Sequence, residues 1–410
     1  MKVTVTDPKK INIRWLYLVV GVIALLFAGI IYGWSILKAP LADEFAWTAD
    51  QLALNFTLTM SFFCLGGFIG GNLSRKIGVC LTLILGGVIG CAGFFLTSRL
   101  SGNVAMLYVS YGGLAGLGIG VAYTTIISTV NAWFPDKKGL CSGALMMGFG
   151  TSALVIGNAA SALINSPNVG WRTTFLILGV ALGVVLVVAG LILKLPAPDL
   201  KLPQPAQKAG AASEDFEARD FTPGQMIRRF TFWRAFVCII FLAAVGNTVI
   251  SFARDLSISV GAAEGLATTL VGVLSVCNGL GRIATGAIFD KLGRRKTMLL
   301  ANIVTIAAAG VTLLSVFTSS VPLCVVGLCV TGFSYGSCPT ISSAFTSAFY
   351  GSKNFSVNFS IMNFNLMGAS LMATLSSMLL TNSGGYVAPF VLLLALSVVA
   401  LVLNLSIKRP

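Results

Sequence analysis

The strongest constraint on this chain is a succession of apolar stretches, each about as long as a bilayer is thick. They run over 15–37, 52–74, 78–98, 104–133, 139–164, 172–193, 232–255, 265–289, 297–317, 322–349, 355–380 and 385–407. A helix needs about 20 apolar residues to cross the hydrocarbon. In lipid every backbone N–H and C=O must be satisfied within the protein, which makes each such run a helix. Charge is correspondingly scarce: 10% of residues are charged and 56% are hydrophobic, where a soluble domain carries about 25% charged residues. The chain reads as an all-α membrane protein with twelve transmembrane helices, numbered here as spans 1 to 12. Span 1 is too long for a signal-peptide core and lacks a small-residue cleavage site, so it is expected to remain as a helix.

An even number of crossings puts both termini on one side. Of the 27 Lys and Arg residues, 22 fall in the arms and loops of that side, and only Lys38, Arg99 and Arg172 on the other. The positive-inside rule places both termini in the cytoplasm and the protein in a plasma (inner) membrane. The net charge of +14 is thereby a topology signal and implies no nucleic-acid partner.

Several chemistries lack their residues. There is no histidine, which removes Ser-His-Asp catalysis and His metal sites. None of the nine cysteines forms a CxxC pair, and most lie in apolar runs, where free Cys behaves as a small hydrophobe. Neither a P-loop nor a strand-borne G-x-G-x-x-G is present. No cofactor, metal or enzymatic activity is expected.

The only long loop, 195–231, divides the chain. The expected parts are an N-terminal six-helix half at 1–194, a linker at 195–231 and a C-terminal six-helix half at 232–410. The first part of the linker is Pro- and Ala-containing and charged, with Glu214, Asp215 and Glu217, and is expected to be mobile. Its end predicts a short interfacial helix, capped by Thr222 with Pro223 in the first position. Across the divide the pattern repeats. Gly71 to Gly78, between spans 2 and 3, recurs 215 positions later as Gly286 to Gly293, between spans 8 and 9. Ala132-Trp133-Phe134 after span 4 recurs as Ala348-Phe349-Tyr350 after span 10. Two six-helix halves with a site near midplane at their interface form a transporter architecture.

The segment Gly286 to Arg294 resembles the major facilitator signature G-x-L-x-D-R-x-G-R, with Ile288 for Leu and Lys291 for Arg. In the first-half copy Arg75 stands in place of the acid. Three further stretches are similar to the monocarboxylate transporter and oxalate/formate antiporter branch: Gly29 to Ser35, Trp133 to Gly143, and Phe221 to Arg228 running toward Phe232-Trp233. The resemblance implies a major facilitator fold and a small carboxylate substrate. Trp133 to Lys138 is expected to be a cytoplasmic hinge with interface anchoring. Gly112, Gly116 and Gly120 predict close helix packing on span 4.

Arg282 lies well inside span 8. A charge at the bilayer centre costs about 2.5–3.5 kcal/mol on insertion scales, so this side chain should face the bundle interior. Ser275, Asn278, Arg282 and Thr285 share one face at helical spacing. A guanidinium matches a carboxylate with two hydrogen bonds and stays charged. Arg282 is therefore read as the substrate anchor; the alternative is a structural Arg capped by backbone carbonyls or an acid. Monocarboxylate transporters carry D-x-x-x-R at this place, and here Asn278 replaces the acid. Oxalate/formate antiporters carry a Lys on span 11, where this chain has no cation. The resemblance thus implies one anchored carboxylate rather than two, because a second would leave an uncompensated charge.

Asp255, near the outer end of span 7 on the face of Asn247 and Ser251, is the proton-carrier candidate. Its alternative is a solvated Asp beside a snorkelling Arg254. Tyr32, Tyr123 and Tyr335 can orient a carboxylate or wall off a small site, interface-belt placement being the alternative. Asn354, Asn358 and Asn365 stripe span 11 for cavity lining or interhelical bonding. The expected function is secondary active transport of a small, lactate- or pyruvate-like monocarboxylate, coupled to a proton as symport. The alternative is proton-independent anion exchange of the oxalate/formate type.

Overall fold

A computed structural model of the protein describes residues 8–136, 138–197, 200, 202–203, 220–351 and 354–407. The acidic part of the linker, with Glu214, Asp215 and Glu217, lies outside the described residues, as do Lys137 and Lys353. Among the described residues, twelve helices are long and apolar enough to cross a membrane, in the order expected: Asn12–Leu37, Ala49–Ile77, Val79–Ser98, Val104–Asn131, Cys141–Ile164, Gly170–Ile192, Phe230–Ser259, Glu264–Phe289, Lys291–Thr318, Val321–Tyr350, Val357–Ser383 and Val387–Ser406. They form two halves of six. The turn from span 2 to span 3 and that from span 8 to span 9 each pass through a left-handed glycine, Gly78 at φ +85° and Gly293 at φ +72°. The two sit at the repeat offset of 215, and a side chain at either would be strained. The recurrence seen in the sequence is thus also a recurrence of backbone conformation.

Within the N-terminal half, span 4 lies hard against span 2. A β-carbon on Gly116 would meet the Thr59 carbonyl at 2.7 Å, and one on Gly120 would collide with the Phe63 carbonyl. The expected small-residue packing holds, since only hydrogen fits between these backbones. Between the halves, span 2 meets span 11: Thr57 donates to the Ser370 carbonyl at 2.6 Å, and Cys64 to the Asn363 carbonyl at 3.2 Å. Span 5 meets span 8, with Gly150 against Gly279 and Leu154 over Gly272.

Several spans are irregular along their length. Span 1 tightens to a 3-10 stretch at Gly29–Gly33, and spans 4 and 5 contain π-helical turns at Tyr108–Ala115 and Ala153–Gly157. Span 7 breaks at Phe252, φ −137° and ψ 22°. Such breaks concentrate at functional sites in helices, and in transporters they flank the substrate position.

The Trp133–Asp136 stretch differs from expectation. Trp133 and Phe134 are buried rather than at an interface. Trp133 donates to the Lys194 carbonyl at 2.6 Å and stacks edge-on with Tyr17, while Asp136 pairs with Arg14 at 2.8 Å. This loop knots the start of span 1, the end of span 4 and the end of span 6, because a buried cation demands its acid and the rings exclude water around both.

The linker's final helix forms as expected. Thr222 and Gln225 make a reciprocal capping box around Pro223–Ile227, satisfying two otherwise orphaned donors. Phe221 donates its backbone N–H to the Tyr350 carbonyl at 3.0 Å. The Phe221 carbonyl accepts from Asn354 at 3.1 Å and from Asn358 at 3.0 Å. Asn365 donates to Ser342 at 3.3 Å. Of the asparagine stripe, Asn354 and Asn358 thus hold the linker and Asn365 alone bonds another span.

Candidate functional site

The span 8 stripe is buried along its whole length, with Asn278 and Arg282 at 0% and 2% exposure. The i, i+4 spacing lets Asn278 accept from Arg282 Nε at 3.1 Å, which turns the guanidinium across the seam between the halves. Its two terminal nitrogens then reach the N-terminal half. Nη1 donates to the Met146 carbonyl of span 5 at 3.5 Å, and Nη2 to the Tyr32 hydroxyl of span 1 at 3.4 Å. Both bonds are long, and neither acceptor carries a formal charge. None of the described ion pairs includes Arg282. The alternative of an acid partner is not met; a carbonyl cap is present, but stretched.

Tyrosines from both halves surround this charge. The Tyr32 and Tyr335 hydroxyls are 3.3 Å apart, and the Tyr123 hydroxyl also faces the guanidinium. All three rings are buried, so the belt alternative does not apply. Tyr335 lies against Gly246 of span 7, where any side chain would collide with the ring. Phe63 and Phe149, which the sequence reading did not single out, complete the wall: Phe149 meets Tyr32 at 5.2 Å and Tyr123 at 4.9 Å, and Phe63 meets Tyr123 at 5.1 Å between centroids. Only the helix packing brings these rings together, so no local sequence signal marks them.

Asp255 is not part of this cluster. It stands toward the side away from the termini, paired with Lys38 at 2.7 Å. Lys38 follows directly on span 1 and is 8% exposed. The adjacent Arg254 points elsewhere and meets Glu264 at 3.4 Å, as the angular offset of neighbours on a helix requires. The Lys38–Asp255 pair ties span 1 to span 7 and so joins the halves above the site. Each helix is irregular within a few residues of the pair, at Gly29–Gly33 and at Phe252.

A buried guanidinium thus lies in an aromatic box at the seam of the two six-helix halves. Residues 18–253 and 235–410 each match the profile of the Major Facilitator Superfamily. The chain belongs to the Major Facilitator Superfamily. Its relatives there lie in the monocarboxylate and oxalate–formate branch. It is 27% identical over 352 residues to the oxalate:formate antiporter of Oxalobacter formigenes, covering 83% of this chain and 80% of that one. It is 24% identical over 375 residues to monocarboxylate transporter 12 of Mus musculus, covering 86% and 75%. The facilitator fold is shared with a bacterial homologue of the human lysosomal transporter Spinster, solved inward-facing and unoccupied: TM-score 0.69, 16% identity, 97% of each chain. This facilitator is a multi-pass membrane transporter, and its relatives are transporters rather than enzymes.

Proposed function

We propose that this facilitator carries a small monocarboxylate of the lactate or pyruvate kind by alternating access, coupled to a proton, with both termini in the cytoplasm and the chain in the plasma (inner) membrane. One observation carries the reading: Arg282 is buried with a single firm bond, to Asn278, and two stretched bonds to neutral oxygens. A carboxylate replacing Met146 and Tyr32 on the two terminal nitrogens would gain a charge-assisted, two-point pairing. It would neutralise the one cation in the box. A second carboxylate would find no further cation among the ring residues, which favours monocarboxylates over oxalate. Tyr32, Tyr335 and Tyr123 then orient the bound acid, and Asn278 holds the guanidinium in register.

Coupling is assigned to Asp255. Protonation would release Lys38 and unfasten spans 1 and 7, opening the site toward the side away from the termini. Exchange without a proton is the second reading. Asn278 favours it, because an amide cannot take the proton that the acid of related transporters can.

Uptake of radiolabelled lactate and pyruvate into proteoliposomes tests the assignment. Arg282→Ala should lower uptake about 100-fold, the size expected when a buried charge pairing is lost. Wild-type uptake in that variant would remove the anchor.

A further inference from the structure

Two polar stripes run along the seam between the halves, one on span 1 and one on span 7. On span 1, Tyr32, Ser35 and Lys38 recur every three residues; on span 7, Thr248, Ser251 and Asp255 recur at intervals of three and four. Each set shares one face of its helix. The stripes are joined at one end by the Lys38–Asp255 pair at 2.7 Å. At the other end the Tyr32 hydroxyl stands 3.3 Å from that of Tyr335, whose ring lies against Gly246 of span 7. Between these ends span 7 packs against Trp34–Leu37. Ser35 and Thr248 therefore fall in the layer between the ion pair and the aromatic box, and both are wholly buried. A buried Ser or Thr in a helix ordinarily donates to a carbonyl one turn earlier. Thr59, Thr125 and Thr174 do so here at 2.8, 2.7 and 2.8 Å, and Ser251 bonds the Thr248 carbonyl at 2.7 Å. The Ser35 and Thr248 hydroxyls have no partner among the described residues. An unbonded buried hydroxyl is costly, and water is the ordinary remedy where polar groups converge.

We propose that Ser35 and Thr248 hold water between them and relay a proton from Asp255 to the carboxylate bound at Arg282. The inference rests on the reading of Asp255 as proton carrier and Arg282 as anchor. Six residues separate Tyr32 from Lys38, about 9–12 Å of helix, too far for direct transfer from Asp255 to the box. Hydroxyls and water each give one proton and accept one, so they bridge such a gap without a charged side chain of their own. The Asp255 O–H proton passes to water, a proton moves on along the hydroxyls, and a carboxylate oxygen of the substrate receives it. Asp255 is then a carboxylate again and the bound acid is neutral. The restored Asp255 charge pairs with Lys38 and reseals the side away from the termini. Among the described residues, the charged or titratable groups at the outer end of this track are Lys38, Tyr386 and the Arg254–Glu264 pair. Those at its inner end are Tyr32, Tyr335, Tyr123 and Arg282.

The test has two parts, both on the full chain. Thermal unfolding in micelles asks whether the hydroxyls are wet. The double variant Ser35→Ala, Thr248→Val should hold or lower the melting midpoint, because it removes bonds to water. A higher midpoint, expected when a dry and unsatisfied hydroxyl is removed, would overturn the proposal. Uptake into proteoliposomes asks whether the track carries the proton. The double variant should cut the gain from an inward proton gradient about tenfold, while exchange of internal for external substrate continues. Ser35→Thr and Thr248→Ser, which keep a hydroxyl at each place, should retain the gain. Ser376→Ala should retain it too, since it removes a buried unpartnered hydroxyl on span 11, outside the track. A gain kept by the double variant but lost in Asp255→Asn would overturn the relay alone. A gain kept in Asp255→Asn would overturn the proton carrier and the relay with it. If the double variant does not fold, Thr248→Val alone answers both questions.

Discussion

Lys38 and Asp255 approach to 2.7 Å across the seam between the halves, on the side away from the termini. Lys38 is largely buried in the pair, while the Asp255 side chain is 39% exposed. Water and protons therefore reach the acid more readily than the amine. Among the described residues, Tyr386 and the Arg254–Glu264 pair also stand near it.

If Asp255 carries the proton, Asp255→Asn should abolish the acceleration that an inward proton gradient gives to uptake while leaving exchange of internal for external substrate within about threefold of wild type. Both are read in proteoliposomes, with and without a pH step. A gradient response that survives in Asp255→Asn would place the proton elsewhere.

Tyr32 is the one side chain of span 1 that bonds both Arg282 and Tyr335. Tyr32→Phe should keep the ring packing against Phe149 and lose the hydroxyl. The expected result is a rise in KM of about tenfold, the worth of one hydrogen bond to a charged group, with a melting midpoint close to wild type. Initial-rate uptake and thermal unfolding measure the two.

Arg14 and Asp136 form a pair in which both side chains are largely buried, at 7% and 13% exposure. Asp136→Ala leaves a buried guanidinium without its acid and should cost about 3 kcal/mol. The double change Arg14→Leu, Asp136→Leu should cost clearly less, because the orphaned charge is gone. Chemical denaturation in micelles of all three proteins measures the difference.

Glu44, in the short helix Ala39–Phe45 between spans 1 and 2, accepts from Arg172 at 3.1 Å and from Trp171 at 2.5 Å. These bonds hold its carboxyl below the usual carboxylate range, Arg172 having the larger effect. A carboxyl lowered in the folded state contributes stability above its unfolded pKa and loses it as pH falls through the lower folded value. Glu44→Gln should therefore lower the melting midpoint by about 1–2 °C at pH 7, a small effect because the pair is half exposed. The difference should close below about pH 4.

Much of this was readable from the residues in order. The spans, the glycine turns and the polar face of span 8 follow from hydropathy, backbone sterics and helical spacing, which act within a few residues. Arg282 stood out because a charge at that depth needs a reason. What pattern could not supply was partnership at long range. Lys38 reads as a loop cation and Asp255 as a lone acid, and only the fold brings them together. Phe63 and Phe149 are two of 27 phenylalanines until spans 2 and 5 close around Tyr123. Trp133 to Lys138 reads as a cytoplasmic hinge with interface anchoring; the pairing of Asp136 with Arg14, more than a hundred positions away, comes only with the fold.

The Phe221 carbonyl, held by Asn354 and Asn358, fixes where the connection between the halves is fastened. A load applied along the linker is delivered to the ends of spans 10 and 11 before it reaches the first residue of span 7. The described attachment of the connection to the C-terminal half therefore begins at Phe221. Shortening the linker upstream of that point would act as a tether on spans 10 and 11, limiting how far they swing and leaving the chemistry of the site untouched.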